Sequence, residues 1–128
     1  MSKRIKKEKR LLIYNKYIGK CTYCGDEILY EDMHVDHIIP LQRGYTIQEA
    51  LDAGIVKGSN HISNLTPSCA SCNISKSTFS LEVWREQLSL KIIRLIKTNS
   101  SFRLMQKFGK IKVINKPIVF YFENNIKF

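Results

Sequence analysis

Acidic residues are scarce in this 128-residue chain: 11 Asp and Glu stand against 21 Lys and Arg, a formal charge of +10. That deficit argues against a cationic partner and for a polyanion, most often nucleic acid, although surplus positive charge also serves solubility alone. Long hydrophobic runs are missing, so no segment reaches the length of a transmembrane helix. The first ten residues are basic and no extended apolar stretch follows, which excludes an obvious secretory leader and gives a cytoplasmic expectation. Low-complexity tracts are absent. Cysteine is limited to four residues and histidine to His34, His37 and His61.

What is present fits one domain of modest core, with 44% hydrophobic residues. The charge is unevenly spread. Residues 1–20 hold eight basic residues and one acid, residues 21–80 hold three basic and seven acidic, and residues 81–128 hold ten basic and three acidic. A locally acidic middle between basic flanks suits a site that holds a cation while its surroundings hold phosphate. The plainer account is two solvated helix faces and a charged tail.

All four cysteines fall into two identical spacings, Cys21-Thr-Tyr-Cys24 and Cys69-Ala-Ser-Cys72. Two such pairs far apart in sequence make a four-thiolate Zn²⁺ site that clamps distant segments together. Redox proteins also use this spacing, but one pair ordinarily suffices there. A zinc reading implies a reducing compartment. The clamp also draws Asp36, His37, Asn64 and Asn73 into one small region.

Periodicity and punctuation divide the rest. Residues 3–17 read as a basic helix with Ile5, Leu12, Ile13 and Tyr17 near one face, stopped by Gly19. Cys21 to Gly25 form the first knuckle, and residues 33–39 read as a strand ended by Pro40. Thr46 to Ala53 read as a short helix with Thr46 as N-cap and Gly54 as stop. Cys69 to Lys76 read as a second knuckle running into a helix. A further helix starts near Ser80, with Phe79 and Trp84 as a hydrophobic staple and Leu81, Trp84, Leu88, Ile92 and Leu95 as a buried stripe. Residues 101–108 read as a helix ended by Gly109. Ile111–Ile114 and Ile118–Phe122 read as a β-hairpin around Asn115-Lys-Pro117.

Several of these residues can do chemistry. Adjacent strand residues face opposite ways, so Asp36 and His37 act together only if the strand ends there, as Pro40 allows. Asp36 would then ligate a hard cation and His37 would accept a proton from an attacking water. Asn73 is a fair ligand for Mg²⁺ and equally a residue that bonds its own helical turn. Asn64, in a loop, either serves its own neighbourhood or holds the loop that carries His37. Lys76 lies one turn after Asn73, as a point charge for phosphate or as a solvated lysine. His34 shares a strand face with Asp36, and His61 reads as a loop residue.

Taken in order, Cys21-x-x-Cys24, Val35-Asp36-His37-Ile38-Ile39-Pro40, Asn64-Leu65 and Cys69-x-x-Cys72-Asn73-x-x-Lys76 resemble the HNH endonucleases, within the ββα-metal or His-Me finger nucleases. The close match covers residues 21–76. The resemblance implies an α+β fold, a small zinc-stabilised ββα-metal core with flanking helices, to which the periodicity adds a C-terminal β-hairpin. The expected organisation is one domain, with a basic helix at 1–20, the nuclease core at 21–78 and a helical and hairpin extension at 79–128.

By the same resemblance His37 is the general base, Asp36 and Asn73 hold one catalytic Mg²⁺ or Mn²⁺, Asn64 orients the His37 loop, and the cysteines hold structural Zn²⁺. Asn73 stands where the family often has a final His. Residues 41–63 lack the usual Gly-Gly after the Pro, with Gly44 alone. The implied reaction is metal-dependent hydrolysis of duplex DNA to 5′-phosphate and 3′-hydroxyl ends, by a monomer or homodimer. An RNA-directed nuclease and a non-catalytic zinc-stabilised nucleic-acid-binding module are the alternatives.

Overall fold

The computed structural model describes residues 5–124. The chain forms two units. The first runs to Leu81 and resumes at Val119; the second is Glu82–Ile118. The expected single domain with an extension from 79 thus becomes a core that recaptures its own C-terminal segment, plus a separate excursion.

The first unit is built on a two-stranded antiparallel sheet. Strand β1 is His34–His37 and strand β2 is Leu65–Ser68, with Asp36 opposite Thr66 and His37 opposite Leu65. Helix α1 (Lys7–Asn15) precedes them, α2 (Ile47–Ala53) lies in the connection, and α3 (Ala70–Lys76) follows β2 directly. The order β1, β2, α3 is the ββα unit.

Strand β2 was not legible in the sequence, because Pro67 lies inside it. In a two-stranded sheet both strands are edges, so a residue without an N–H is tolerated. All four residues of β2 are buried, and its Pro67 carbonyl accepts from Thr22 N at 2.9 Å.

The expected helix over 3–17 begins outside the described residues; within them α1 runs Lys7–Asn15, and its inward face is rotated from the expected stripe. Ile13 is buried at 1% exposure, whereas Leu12 is 64% exposed. The inward positions are Arg10, Ile13, Tyr14 and Tyr17, at the three-four spacing of one face. Arg10 belongs there because its guanidinium donates to the carbonyls of Tyr30 and Met33 and lies over the Tyr30 ring. Helix α2 matches its expected bounds. Thr46 and Glu49 form a reciprocal capping box and Gly54 closes the helix in the left-handed region.

The second unit contains α4 (Leu81–Thr98, whose first residue belongs to the core) and α5 (Ser100–Lys107). Asn99 caps α5, accepting from Phe102 N. The expected buried stripe of α4 is corrected: only Trp84 is buried, at 2%, while Ile92 is 39% exposed and Leu81, Leu88 and Leu95 are half-buried.

The C-terminal hairpin does not form. Residues 111–120 are irregular and Tyr121–Asn124 is a single helical turn, α6. The donors that a hairpin would have paired go to the first knuckle instead: Tyr121 N bonds Tyr23 O and Phe122 N bonds Thr22 O, both at 2.9 Å. Phe120, 2% exposed, packs edge-on to Tyr23. Backbone pairing with a distant segment outweighed the local alternation that suggested two strands.

Candidate active site and metal centre

The four cysteine sulfurs converge. They lie within 4.8 Å of one another, all four are free thiols, and Cys24 Sγ and Cys69 Sγ are 3.8 Å apart. A disulfide needs about 2.05 Å, whereas a zinc tetrahedron with Zn–S near 2.3 Å has an edge of about 3.8 Å. The backbone supports thiolates here. Tyr23 N and Cys69 N donate to Cys21 Sγ, and Cys72 N donates to Cys69 Sγ, each at 3.4 Å.

Hydrogen bonding from Cys72 is the largest of the causes that bring Cys21 down to about 4, burial pushes Cys24 up to about 12, and Cys72 is raised by its bond to Cys21. Four thiolates this close need a dication, and the all-sulfur set fits Zn²⁺.

Strand β1 ends at His37, and this termination lets neighbours that would point apart serve one place. Asp36 and His37 both line an open concavity of about 430 Å³ with Pro40, the 41–45 loop, Ser77 and Thr78. Two lining residues, Gln42 and Ser77, hold positive φ of 54° and 50° without being glycine. Such backbone persists only where surroundings enforce it, and it clusters at functional sites. Lys57 enforces it at the loop, donating to the carbonyls of Leu41 and Gln42 at 2.7 and 2.8 Å.

Asp36 is 7% exposed, and both of its partners meet one oxygen. The Tyr23 hydroxyl donates to Asp36 Oδ2 at 2.5 Å and Lys76 Nζ lies 2.9 Å from the same atom. Burial, then the negative charge of Asp36, raise the Tyr23 phenol well above its ordinary range, so it stays a donor. Lys76 is 0% exposed and also donates to the His37 carbonyl at 2.9 Å. The phosphate role expected of Lys76 is therefore corrected: a cation buried against a carboxylate and a carbonyl has no face for substrate. It ties α3 to the end of β1.

His37 meets Asn60, whose Oδ1 lies 2.8 Å from Nε2. With Nε2–H donating, Nδ1 is left as the ring's acceptor. Asn64 acts one layer behind. Its Oδ1 accepts from Ile39 N at 2.8 Å, and its Nδ2 donates to Ile39 O and Ser59 O at 3.0 and 2.8 Å. It thus staples the segment after His37 to the segment before Asn60.

Gly58 makes that approach possible: a Cβ there would sit 1.9 Å from the Ile39 carbonyl oxygen. Asn60 was missed in the sequence, where Gly-Ser-Asn reads only as loop. The signal was the glycine, which marks close backbone approach as readily as a turn.

Asn73 is half-buried on α3, and its side chain makes no hydrogen bond within the described residues. It shares a helix face with Lys76 and Ser77, the first bonded to Asp36 and the second lining the concavity. Asn73 itself does not line the concavity; a carboxylate oxygen and an amide are the ligand types that suit Mg²⁺ or Mn²⁺, ions that complete their shells with water and phosphate. His34 is exposed and lines a different concavity, with Glu27, Glu31, Asp32 and Cys69. His61 caps its own turn through Ser63.

Comparison with known proteins agrees with this architecture. Residues 21–79 match the family model for HNH endonuclease. The chain is 45% identical over 68 residues to YoqL of Bacillus subtilis (strain 168), an SPbeta prophage-derived putative HNH endonuclease by name. That alignment takes in 52% of this chain and 26% of the relative, so the chain spans about a quarter of the relative's length. Among solved structures it resembles the Type II-C Cas9 enzyme from Actinomyces naeslundii, with TM-score 0.50 and 23% identity, over 86% of this chain and 11% of that one. This second likeness is one of fold.

Proposed function

We propose that residues 21–79, which match the HNH endonuclease family model, act as a nuclease domain, and that the protein hydrolyses DNA phosphodiester bonds, leaving 5′-phosphate and 3′-hydroxyl ends. The observation that carries the reading is the meeting of Asp36 and His37 at the open end of β1, beside α3 with Asn73.

His37, held through Nε2 by Asn60, accepts a proton at Nδ1 from the attacking water. Asn64 keeps the His37–Pro40 segment from drifting. Asp36 and Asn73 would hold one Mg²⁺ or Mn²⁺, which when bound stabilises charge on the scissile phosphate and the leaving 3′-oxygen. Cys21, Cys24, Cys69 and Cys72 would hold Zn²⁺ as a structural clamp.

Basic side chains supply phosphate contacts that do not depend on sequence. Lys9, Arg10, Lys16, Lys57, Lys76, Arg85 and Arg103 already bond protein carbonyls, which leaves Lys6, Lys7 and the lysines of Glu82–Ile118 as the stronger candidates. One site cuts one strand per engagement, so a monomer nicks and a homodimer cuts both strands. Among the described residues no helix is long and apolar enough to cross a membrane, and free thiols fit a cytoplasmic, reducing setting.

Incubation with supercoiled plasmid and Mg²⁺ or Mn²⁺ tests this. Wild type should yield open circles and His37→Ala should not. Cleavage of RNA alone would move the substrate to RNA. Binding without cleavage of either, under every divalent ion tried, would leave a zinc-stabilised binding module.

A further inference from the structure

Tyr23 stands inside the first knuckle, between Cys21 and Cys24, and touches both sets of metal-related residues. Its amide N–H donates to Cys21 Sγ at 3.4 Å and its hydroxyl donates to Asp36 Oδ2 at 2.5 Å. Lys76 Nζ occupies the same Oδ2 at 2.9 Å, so no described residue bonds Oδ1. A carboxylate with one oxygen pinned offers the other in a fixed direction.

The ring that carries the hydroxyl is itself clamped. Tyr23 is 3% exposed, with Phe120 and Phe122 edge-on at 5.6 and 6.4 Å between ring centres. Its carbonyl accepts from Tyr121 N.

We infer that Tyr23 is a positioning residue that couples the cysteine knuckle to the catalytic carboxylate, aiming Asp36 Oδ1 at a divalent ion. The inference rests on the metal-dependent reading of Asp36 above. Hydrogen-bond partners behind a metal ligand are commonly worth about 10–100-fold in metal affinity or activity.

The test is Mn²⁺ binding to the full chain without nucleic acid, followed by the electron paramagnetic resonance of free Mn²⁺. Wild type, Tyr23→Phe and Asp36→Ala are compared, with zinc content measured alongside. Tyr23→Phe keeps the ring and loses one oxygen. The expected result is unchanged zinc and Mn²⁺ affinity weakened roughly 10-fold or more.

Affinity equal to or tighter than wild type, with Asp36→Ala still abolishing binding, overturns the role of Tyr23 and leaves the active-site reading standing. Binding indifferent to Asp36→Ala sinks both. A second measurement that leaves Tyr23 in place covers the case in which Tyr23→Phe loses zinc or fold. With ¹³Cζ-labelled tyrosine, the Tyr23 signal should move on adding Mg²⁺ and stay still in Asp36→Asn. A Tyr23 signal that ignores Mg²⁺ in wild type overturns the proposal.

Discussion

The segment 21–78 and the segment 82–118 are held together by different means. In the first, bonds reach far along the chain: Tyr23 to Asp36, Lys76 to His37, Asn64 to Ile39, and Cys24 beside Cys69. In the second, most side-chain bonds join near neighbours: Arg85 to Glu82, Ser89 to Arg85, Thr98 to Arg94, Phe102 to Asn99. The first carries seven of the chain's eleven acidic residues, and the second is strongly basic. A cleavage site needs groups from separate segments fixed in one place, which only long-range bonds provide. The phosphate contact proposed for the second segment would need only displayed charge, which local helix provides.

The contrast predicts where the molecule is brittle. Cys69→Ser should have the largest effect. It removes a thiolate from the clamp, and binding at such sites is worth about 10 kcal/mol or more of folding energy. Metal analysis should show zinc lost, and circular dichroism should show the core unfolded; a folded, zinc-free variant would break the comparison.

His37→Ala comes next, at about 10²–10⁴-fold in cleavage rate with fold and zinc intact. Wild-type nicking by that variant would remove His37 from the chemistry. Asp36→Ala should cost cleavage too, but it strips buried Lys76 of its carboxylate, so a loss of stability of about 3–5 kcal/mol is expected in thermal or denaturant unfolding.

Gly58→Ala should act on the site from outside it. The added Cβ meets the Ile39 carbonyl, so the 58–60 segment must move and carry Asn60 from His37. We expect about 1–3 kcal/mol of destabilisation and a larger fall in kcat than in DNA affinity.

The smallest structural effect belongs to the second segment. Replacing Lys91, Arg94 and Lys97 by Gln should change unfolding by no more than about 0.5 kcal/mol per site. The slope of log affinity against log salt should flatten by about 0.9 for each phosphate that is no longer neutralised. An unchanged slope would mean that these residues are merely solvated.

Local patterns were the legible part. The Thr46 N-cap, the Gly54 and Gly109 stops and the paired cysteine spacings each act within a few residues, and each stands in the structure where the sequence put it. Strand β2 was hidden by Pro67, which signals an edge only once the sheet is known to have two strands. The stripe on α4 was read from spacing alone, yet an apolar residue is buried only if something covers it. The C-terminal alternation promised a hairpin until the knuckle's carbonyls took its donors.

The candidate site divides along the same line. Residue type and order were enough to nominate Asp36, His37, Asn64, Asn73 and the four cysteines, because proton transfer, cation ligation and zinc binding demand particular side chains. The supports were not in the sequence: Asn60 on His37, Tyr23 and Lys76 on one oxygen of Asp36, and the strained backbone at Gln42 and Ser77. Chemistry selects residue types, and those are written one letter at a time. Orientation depends on which partners arrive in space, and a lysine reads the same in the sequence whether it faces a phosphate or lies buried against a carboxylate.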